Sequence, residues 1–415
     1  MLSLHSARKR TASGRPARIG LAVAGGGPIG GMYELGALRA LDEAIEGLDL
    51  TRLDSYVGVS SGAFLAAGLA NRIDTAEMCR IFITGDSNEV QFRPETFLRP
   101  AIFEYLRRAA SLPRLTAQWW QELLFSRNEA RWSDLLMRFG ALVPTGLFDN
   151  AQVERFLQEV FSRRGRSNDF RELGTNLFVV AVDLDNGEAV KFGDAGWDNV
   201  PISTAVQASA ALPGLYPPVE IGGRHFVDGA LRRTMHASVL LDRGVDLLIG
   251  INPLVPFTQD GSGLPVSHER SLAAGGLPAV LSQTFRTLLQ SRMQVGLARY
   301  AQQYPDIDQL IFEPNAEDAE LFFTNAFSFS ARRRICEMAY RNTLADLRRR
   351  ADVLGPVLAA SGLRLRMDVV NDDTRSVIDG LATPPRDTET TARLRRALDD
   401  VDHLVAERRP RRRRA

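Results

Sequence analysis

Gly58-Val59-Ser60-Ser61-Gly62 is the stretch from which the rest of the chain can be read. Ahead of it, Asp54-Ser55-Tyr56-Val57 reads as a short buried strand. Behind it, residues 63–70 (AFLAAGLA) read as a buried helix. A strand that turns sharply into a helix around G-x-S-x-G is a nucleophile elbow. The turn is strained and tolerates only small neighbours, here Gly58 and Gly62. Such a turn lifts the Ser60 hydroxyl off the sheet and sets it at a helix N-terminus. There the helix dipole favours developing negative charge.

Upstream, Ile19-Gly20-Leu21-Ala22-Val23-Ala24 is an unbroken apolar run and reads as the first strand. Gly25-Gly26-Gly27-Pro28-Ile29-Gly30-Gly31 follows as a tight loop. A helix then opens with Leu38, Leu41 and Ile45 on one face. Strand, helix, strand, helix at this spacing implies a parallel sheet covered by helices. Gly25, Gly27 and Gly30 satisfy G-x-G-x-x-G, yet a dinucleotide fold wants an acidic residue at the end of the second strand. That strand ends in the Ser60 turn, and Asp54 lies at its beginning. A P-loop fails as well, because no Gly-Lys-Ser/Thr follows. The remaining reading is an oxyanion hole. Adjacent glycines let backbone N–H groups converge, with Gly26 and Gly27 as the expected donors, while Pro28 lacks an N–H and fixes φ where the helix begins.

Further on, residues 176–182 (NLFVVAV) read as a strand, Asp185-Asn186-Gly187 as a hairpin turn, and 188–192 as the returning strand. Residues 201–211 form a small-residue helix. A short strand at 224–227 ends in Asp228-Gly229-Ala230, and 245–251 is another buried strand. Asp228 at a strand end is a candidate base for Ser60. A Ser, Asp, His order would also admit His268 or His403 as a third member, though neither lies in a recognisable motif.

Four stretches in order resemble one family. Gly25 to Gly30 with Tyr33-Glu34-Leu35-Gly36-Ala37-Leu38 resembles the oxyanion loop and helix of patatin-like phospholipases. Gly58 to Ala63 resembles their nucleophile elbow. Residues 208–214 (ASAALPG) with Tyr216-Pro217-Pro218 resemble the segment before their catalytic Asp, and Asp228-Gly229-Ala230 resembles the Asp-Gly-Gly/Ala motif itself. The resemblance covers residues 19–255. It implies an α/β fold of three layers, α/β/α, with a mainly parallel central sheet. It also implies lipid acyl-ester hydrolysis by a Ser60–Asp228 dyad without histidine, an oxyanion hole at Gly25, Gly26, Gly27 and Gly30, and no metal or organic cofactor. Ile29 stands where the family commonly has Arg or Lys.

The expected organisation is a disordered basic stretch at 1–17, a catalytic domain at 19–255 with a helical cap-like insertion at 71–140, and a mainly helical region at 260–415 ending in a basic tail. The insertion carries Phe92, Phe97, Phe103, Tyr105, Trp119, Trp120, Phe125 and Trp132. It reads as a subdomain with an aromatic core, or as a lid whose apolar face meets lipid. Residues 388–407 read as a terminal amphipathic helix. The arginines at 408–414 read as a solvated tail, or as a contact for anionic headgroups.

A net charge of +1 gives no global field to draw nucleic acid. Cys79 and Cys336 form no disulfide framework and have no metal-ligand spacing. No apolar core of signal-peptide length opens the chain and no apolar run is long enough to span a bilayer, so the expected location is cytoplasmic, with peripheral membrane contact through the aromatic insertion and the tail. The expected substrate is a lipid ester of the phospholipase A or lysophospholipase type. Acyl transfer, polyester or acylglycerol hydrolysis with the same residues, and a non-catalytic lipid-binding or scaffold protein are the alternatives.

Overall fold

The chain enters the sheet at its very start. Leu2–His5 forms strand β1, so the expectation of disorder across 1–17 does not hold there. Leu2 and Leu4 alternate with polar residues, and this short edge pattern is easily lost beside the basic run that follows it. The computed structural model describes residues 2–6, 15–93, 145–254, 276–315 and 329–381, with scattered positions at 95–100 and 390–401. Trp119, Trp120, Trp132, Phe103, Tyr105, Phe125 and the arginine tail lie outside the described residues. The scattered positions within the expected terminal helix are helical.

Ile19–Val23 is β2, followed by α1 (Gly27–Ala44), the short β3 (Ile45–Glu46), β4 (Ser55–Gly58) and α2 (Ser61–Ala70). Next come α3 (Thr75–Cys79), a π-helical turn at Arg80–Thr84, and α4 (Ala151–Phe161). The hairpin expected around Asp185-Asn186-Gly187 is β5 (Asn176–Asp183) with β6 (Ala189–Phe192). Helix α5 (Ile202–Ser209) leads to a second hairpin, β7 (Val219–Ile221) and β8 (Arg224–Asp228), and then to α6 (Ser238–Leu241) and β9 (Leu247–Ile251). The last part holds α7 (Gly276–Gln303), β10 (Asp308–Phe312), α8 (Phe329–Arg349), α9 (Ala351–Ala360), β11 (Arg364–Leu365) and α10 (Met367–Val370).

Strands β10, β9, β2, β4 and β5 are parallel in that spatial order. Antiparallel strands close the edges: β1 on β10, and β6 and β8 on β5, with β7 on β8. Alternate strand residues feed two separate cores. Leu21, Val23, Tyr56, Val179 and Ile249 face α1, α2, α5 and α8. Ala22, Val57, Val180, Leu248 and Ile311 face α6 and the Met293–Tyr300 stretch of α7. The period of two sends successive side chains to opposite faces, which gives the three α/β/α layers.

Two features of the organisation stand out. Described residues beyond 255 join the main core: β10 is a strand of the main sheet, and Ile335, Cys336, Ala339 and Tyr340 of α8 lie in the same core as α1. The helices approach closely because position 36 is glycine; a Cβ there would collide with the Cys336 carbonyl. Within the insertion, Phe92 and Phe97 turn inward. With Phe82 and Phe156 they form a cluster of edge-on and tilted rings, with centroids 4.9–6.2 Å apart, so these two belong to an aromatic cluster.

Candidate active site

Ser60 ends the turn between β4 and α2 with φ 51° and ψ −120°. Few non-glycine residues hold a positive φ, and the surroundings must enforce it. Here a Cβ on Gly62 would strike the carbonyls of Val23 and Ala24. The turn is therefore pressed against the end of β2, and glycine alone fits. Ser60 is 7% exposed. Its N–H donates to Ser209 Oγ at 2.9 Å, and Ser209 in turn donates to the Val180 carbonyl at 2.6 Å. Ser209 lies in the small-residue helix α5. The sequence reading placed it in a motif and gave it no role.

Asp228 reaches the same point from the other direction. β8 runs antiparallel to β5, unlike β2 and β4, which lead into the glycine loop and the Ser60 turn. Gly58 of β4 pairs with Val179, and Asp228 pairs with Ala181. β6 pairs with both Val179 and Ala181, so it holds one edge of β5, and β4 and β8 share the other. They meet head-on, C-terminus to C-terminus, and this brings the two residues together. Asp228 is 3% exposed. Its Oδ1 accepts the Ala230 N–H at 2.9 Å. Burial raises its carboxyl from 3.8 to about 6, against the lowering effect of hydrogen bonds from the Ser60 side chain and the Ala230 N–H.

The glycine loop packs onto this pair. A Cβ at Gly25 would stand 3.0 Å from Ser60 Cβ and 3.2 Å from Ala230 Cβ. Three of the four glycines expected at the oxyanion hole have engaged N–H groups: Gly25 with the Thr234 carbonyl at 3.1 Å, Gly26 with Ser61 Oγ at 2.9 Å, and Gly30 with the Gly26 carbonyl at 3.1 Å. Gly27 begins α1 with φ 62° and open space beside it, and its N–H has no partner among the described residues. The Ser61 N–H, at the first position of α2, is likewise unpaired among them. Ile29 packs against the core, filling with apolar bulk the position where the family commonly carries charge.

Behind the loop lies a second arrangement that the motifs did not disclose. Ser61 Oγ accepts from Gly26 and donates to Glu34 Oε1 at 3.2 Å. Glu34 is fully buried, and its Oε2 has no partner among the described residues. Burial pushes its carboxyl well above the usual range, with the Ser61 bond opposing. The one sequence signal was a Glu within the otherwise apolar start of α1.

No described histidine bonds Ser60 or Asp228. His236 Nε2 faces the Gly229 carbonyl at 3.3 Å, and burial lowers its imidazole to about 4. His225 is exposed, and His268 and His403 lie outside the described residues.

Sheet, strained serine turn and buried carboxyl together define the class: an α/β protein with a candidate serine-hydrolase site. The sequence model of the patatin-like phospholipase family matches residues 21–241, just over half of the chain. The chain belongs to that family.

Similar solved structures include VipD from Legionella pneumophila (21% identity, 62% of this chain and 54% of that one, TM-score 0.33). Full-length ExoU of Pseudomonas aeruginosa in complex with SpcU matches at 15% identity over 71% of this chain and 54% of that one, with TM-score 0.27. Human GIVD cytosolic phospholipase A2 in complex with methyl gamma-linolenyl fluorophosphonate matches at 12% identity over 86% and 59%, with TM-score 0.31. The chain thus spans a little over half the length of each. Among the described residues, no helix is long and apolar enough to cross a membrane.

Proposed function

We propose that this protein is a serine-dependent lipid acyl hydrolase of the phospholipase A or lysophospholipase type, working through a Ser60–Asp228 dyad. The observation that carries this reading is the head-on meeting of β4 and β8, which sets the Ser60 side chain against a buried carboxyl with a value of about 6. A base near the working pH is half-prepared to accept a proton, and it needs no third residue to do so. Asp228 takes the proton of Ser60 as Oγ attacks the ester carbonyl. The oxyanion of the tetrahedral intermediate forms beside the N–H groups of Gly27 and Ser61, unpaired among the described residues, at the two helix N-termini. The alcohol leaves with the proton from Asp228. Water, deprotonated by the same carboxylate, then releases the fatty acid from Ser60.

The test is twofold. A fluorophosphonate probe is expected to label Ser60 and to leave Ser60→Ala unlabelled. Fatty-acid release from a panel of phospholipid, lysolipid, acylglycerol and polyester substrates names the ester class. A folded protein that neither takes the probe nor hydrolyses any member of the panel would be a binding protein with an idle elbow.

A further inference from the structure

A cavity of about 600 Å³ opens between α7 and the segment that follows Asp228. Arg232, Arg233, Arg292 and Arg299 line it, and Asp242 is its one carboxylate. Arg292, Arg299 and Gln303 project from a single face of α7 at helical spacing. The two consecutive arginines come from the chain just beyond the Gly229–Leu231 turn.

None of the four guanidinium groups has a carboxylate partner among the described residues. Arg232 donates to the Gly187 carbonyl at 3.3 Å, Arg233 to Ser238 Oγ at 3.2 Å, and Arg292 to the Leu231 carbonyl at 3.2 Å. Each contact occupies one N–H of five and leaves the charge uncompensated. Arg299 has no hydrogen bond or ion pair among the described residues. Asp242 is itself engaged by the Tyr304 hydroxyl. The nearby Asp194 pairs with Lys191 and Arg243 instead. The excess positive charge is felt next door: after burial, Arg233, Arg232 and Lys191 add to the lowering of His236.

Four like charges around one hollow repel one another and are relieved by a multiply charged anion. The planar guanidinium fork matches phosphate oxygens two at a time. A concave hollow of this size suits a headgroup-sized ligand, whereas a nucleic acid would call for an extended basic stripe.

We infer that this cavity is a binding site for a phosphomonoester, held by Arg232, Arg233, Arg292 and Arg299. It is separate from Ser60, yet it abuts the segment that positions the active site. Thr234 lines the cavity, its carbonyl holds the Gly25 N–H, and its hydroxyl reaches Met293 Sδ on α7 at 3.0 Å.

The experiment is a binding measurement on full-length Ser60→Ala protein, so that its outcome does not depend on the hydrolase reading. Phosphatidylcholine vesicles doped with phosphatidic acid are compared with vesicles carrying phosphatidylserine at matched charge, and glycerol phosphate is titrated separately in solution. The expected result is preference for the phosphomonoester, weakened about tenfold or more by Arg299→Glu and by Arg292→Ala, the loss of one charge-assisted contact each. Arg299 makes no bond among the described residues, so its replacement leaves the fold intact. Weakening with vesicles alone assigns the ligand to a lipid headgroup. Weakening with glycerol phosphate as well assigns it to the phosphate itself. Equal binding of both vesicle types, or affinity unchanged in both arginine variants, overturns the site and leaves only diffuse attraction to basic surface.

Discussion

Ser209 holds Ser60 in place: one hydroxyl accepts the Ser60 N–H and donates to Val180 of β5, so the strained turn is pinned to the sheet through a single buried oxygen. Replacing that oxygen leaves the Ser60 N–H buried and unpaired, at a cost of about 1–3 kcal/mol. Ser209→Ala is therefore expected to lower thermal stability and to reduce kcat more than it raises KM, because the turn is freed to relax from its positive φ. Denaturation together with steady-state kinetics checks this. Wild-type kcat in a destabilised Ser209→Ala protein would reduce Ser209 to a packing residue.

Asp228 links activity to pH in one direction and stability in the other. Its carboxyl rises from 3.8 to about 6 on folding because burial disfavours the charge. As base it must be ionised, so kcat/KM is expected to climb with pH through about 6. A folded-state value above the unfolded one means the opposite for stability. The contribution is fully present below about 3.8 and is lost as pH rises through about 6. At neutral pH the buried charge is thus a burden of up to about 3 kcal/mol. Asp228→Asn keeps the shape and the acceptor for the Ala230 N–H while removing the charge. It is expected to abolish activity and to raise the melting temperature at pH 7. A variant that is inactive and also less stable at neutral pH contradicts this account of the carboxyl.

Glu34 offers a contrast, since its side chain reaches the Gly26 N–H through Ser61. Glu34→Gln retains an oxygen to accept the Ser61 hydroxyl, and the carboxyl it replaces is already pushed toward its neutral form. It is expected to keep most of the activity. Glu34→Leu removes the acceptor, lets Ser61 turn away and slackens its hold on Gly26. A fall in kcat of about tenfold is expected, with KM little changed, on the scale of about one hydrogen bond. Equal activity in the two variants would dissociate Glu34 from the loop.

These positions mark where the sequence could and could not be read. Unbroken apolar runs such as residues 19–24 announce buried parallel strands. Gly58, Gly62 and Asp185-Asn186-Gly187 announce turns, because few residues can replace glycine there. Strand direction leaves no local trace: the residues of β8 would look the same in either orientation, and only the pairing of Asp228 with Ala181 decides it. β10 likewise gives no hint of which sheet it joins. Ser209 and Ser61 are small residues among many, and their roles rest on partners distant in sequence. Glu34 leaves a local trace, as a carboxyl within an otherwise apolar stretch of sequence.

Gly27 carries the prediction for the oxyanion. Its N–H is unpaired among the described residues, its φ is 62°, and a Cβ there meets open space. Gly27→Val therefore imposes backbone strain on a β-branched residue without a clash in the core. The protein is expected to fold while the N–H is displaced. Loss of one such donor costs about 10²–10³ in turnover. A folded variant with near-normal kcat moves the oxyanion elsewhere.

The dyad itself is tested by what is missing from it. If Ser60 and Asp228 act as a unit, Ser60→Ala and Asp228→Asn each remove nearly all activity, and the double variant is little worse than either alone. A triad would add a histidine to that unit. His236 is a buried candidate, but its Nε2 is turned to the Gly229 carbonyl, and burial keeps its ring neutral at pH 7. It also holds a φ of 51°, so asparagine, which tolerates that conformation and can still donate to the carbonyl, is the fitting replacement. His236→Asn is expected to keep substantial activity, as are His225→Ala, His268→Ala and His403→Ala. Each variant is checked for folding by circular dichroism and then assayed beside Ser60→Ala. A folded histidine variant that falls as far as Ser60→Ala replaces the dyad with a conventional triad. If all four retain activity, Asp228 is left as the base for Ser60.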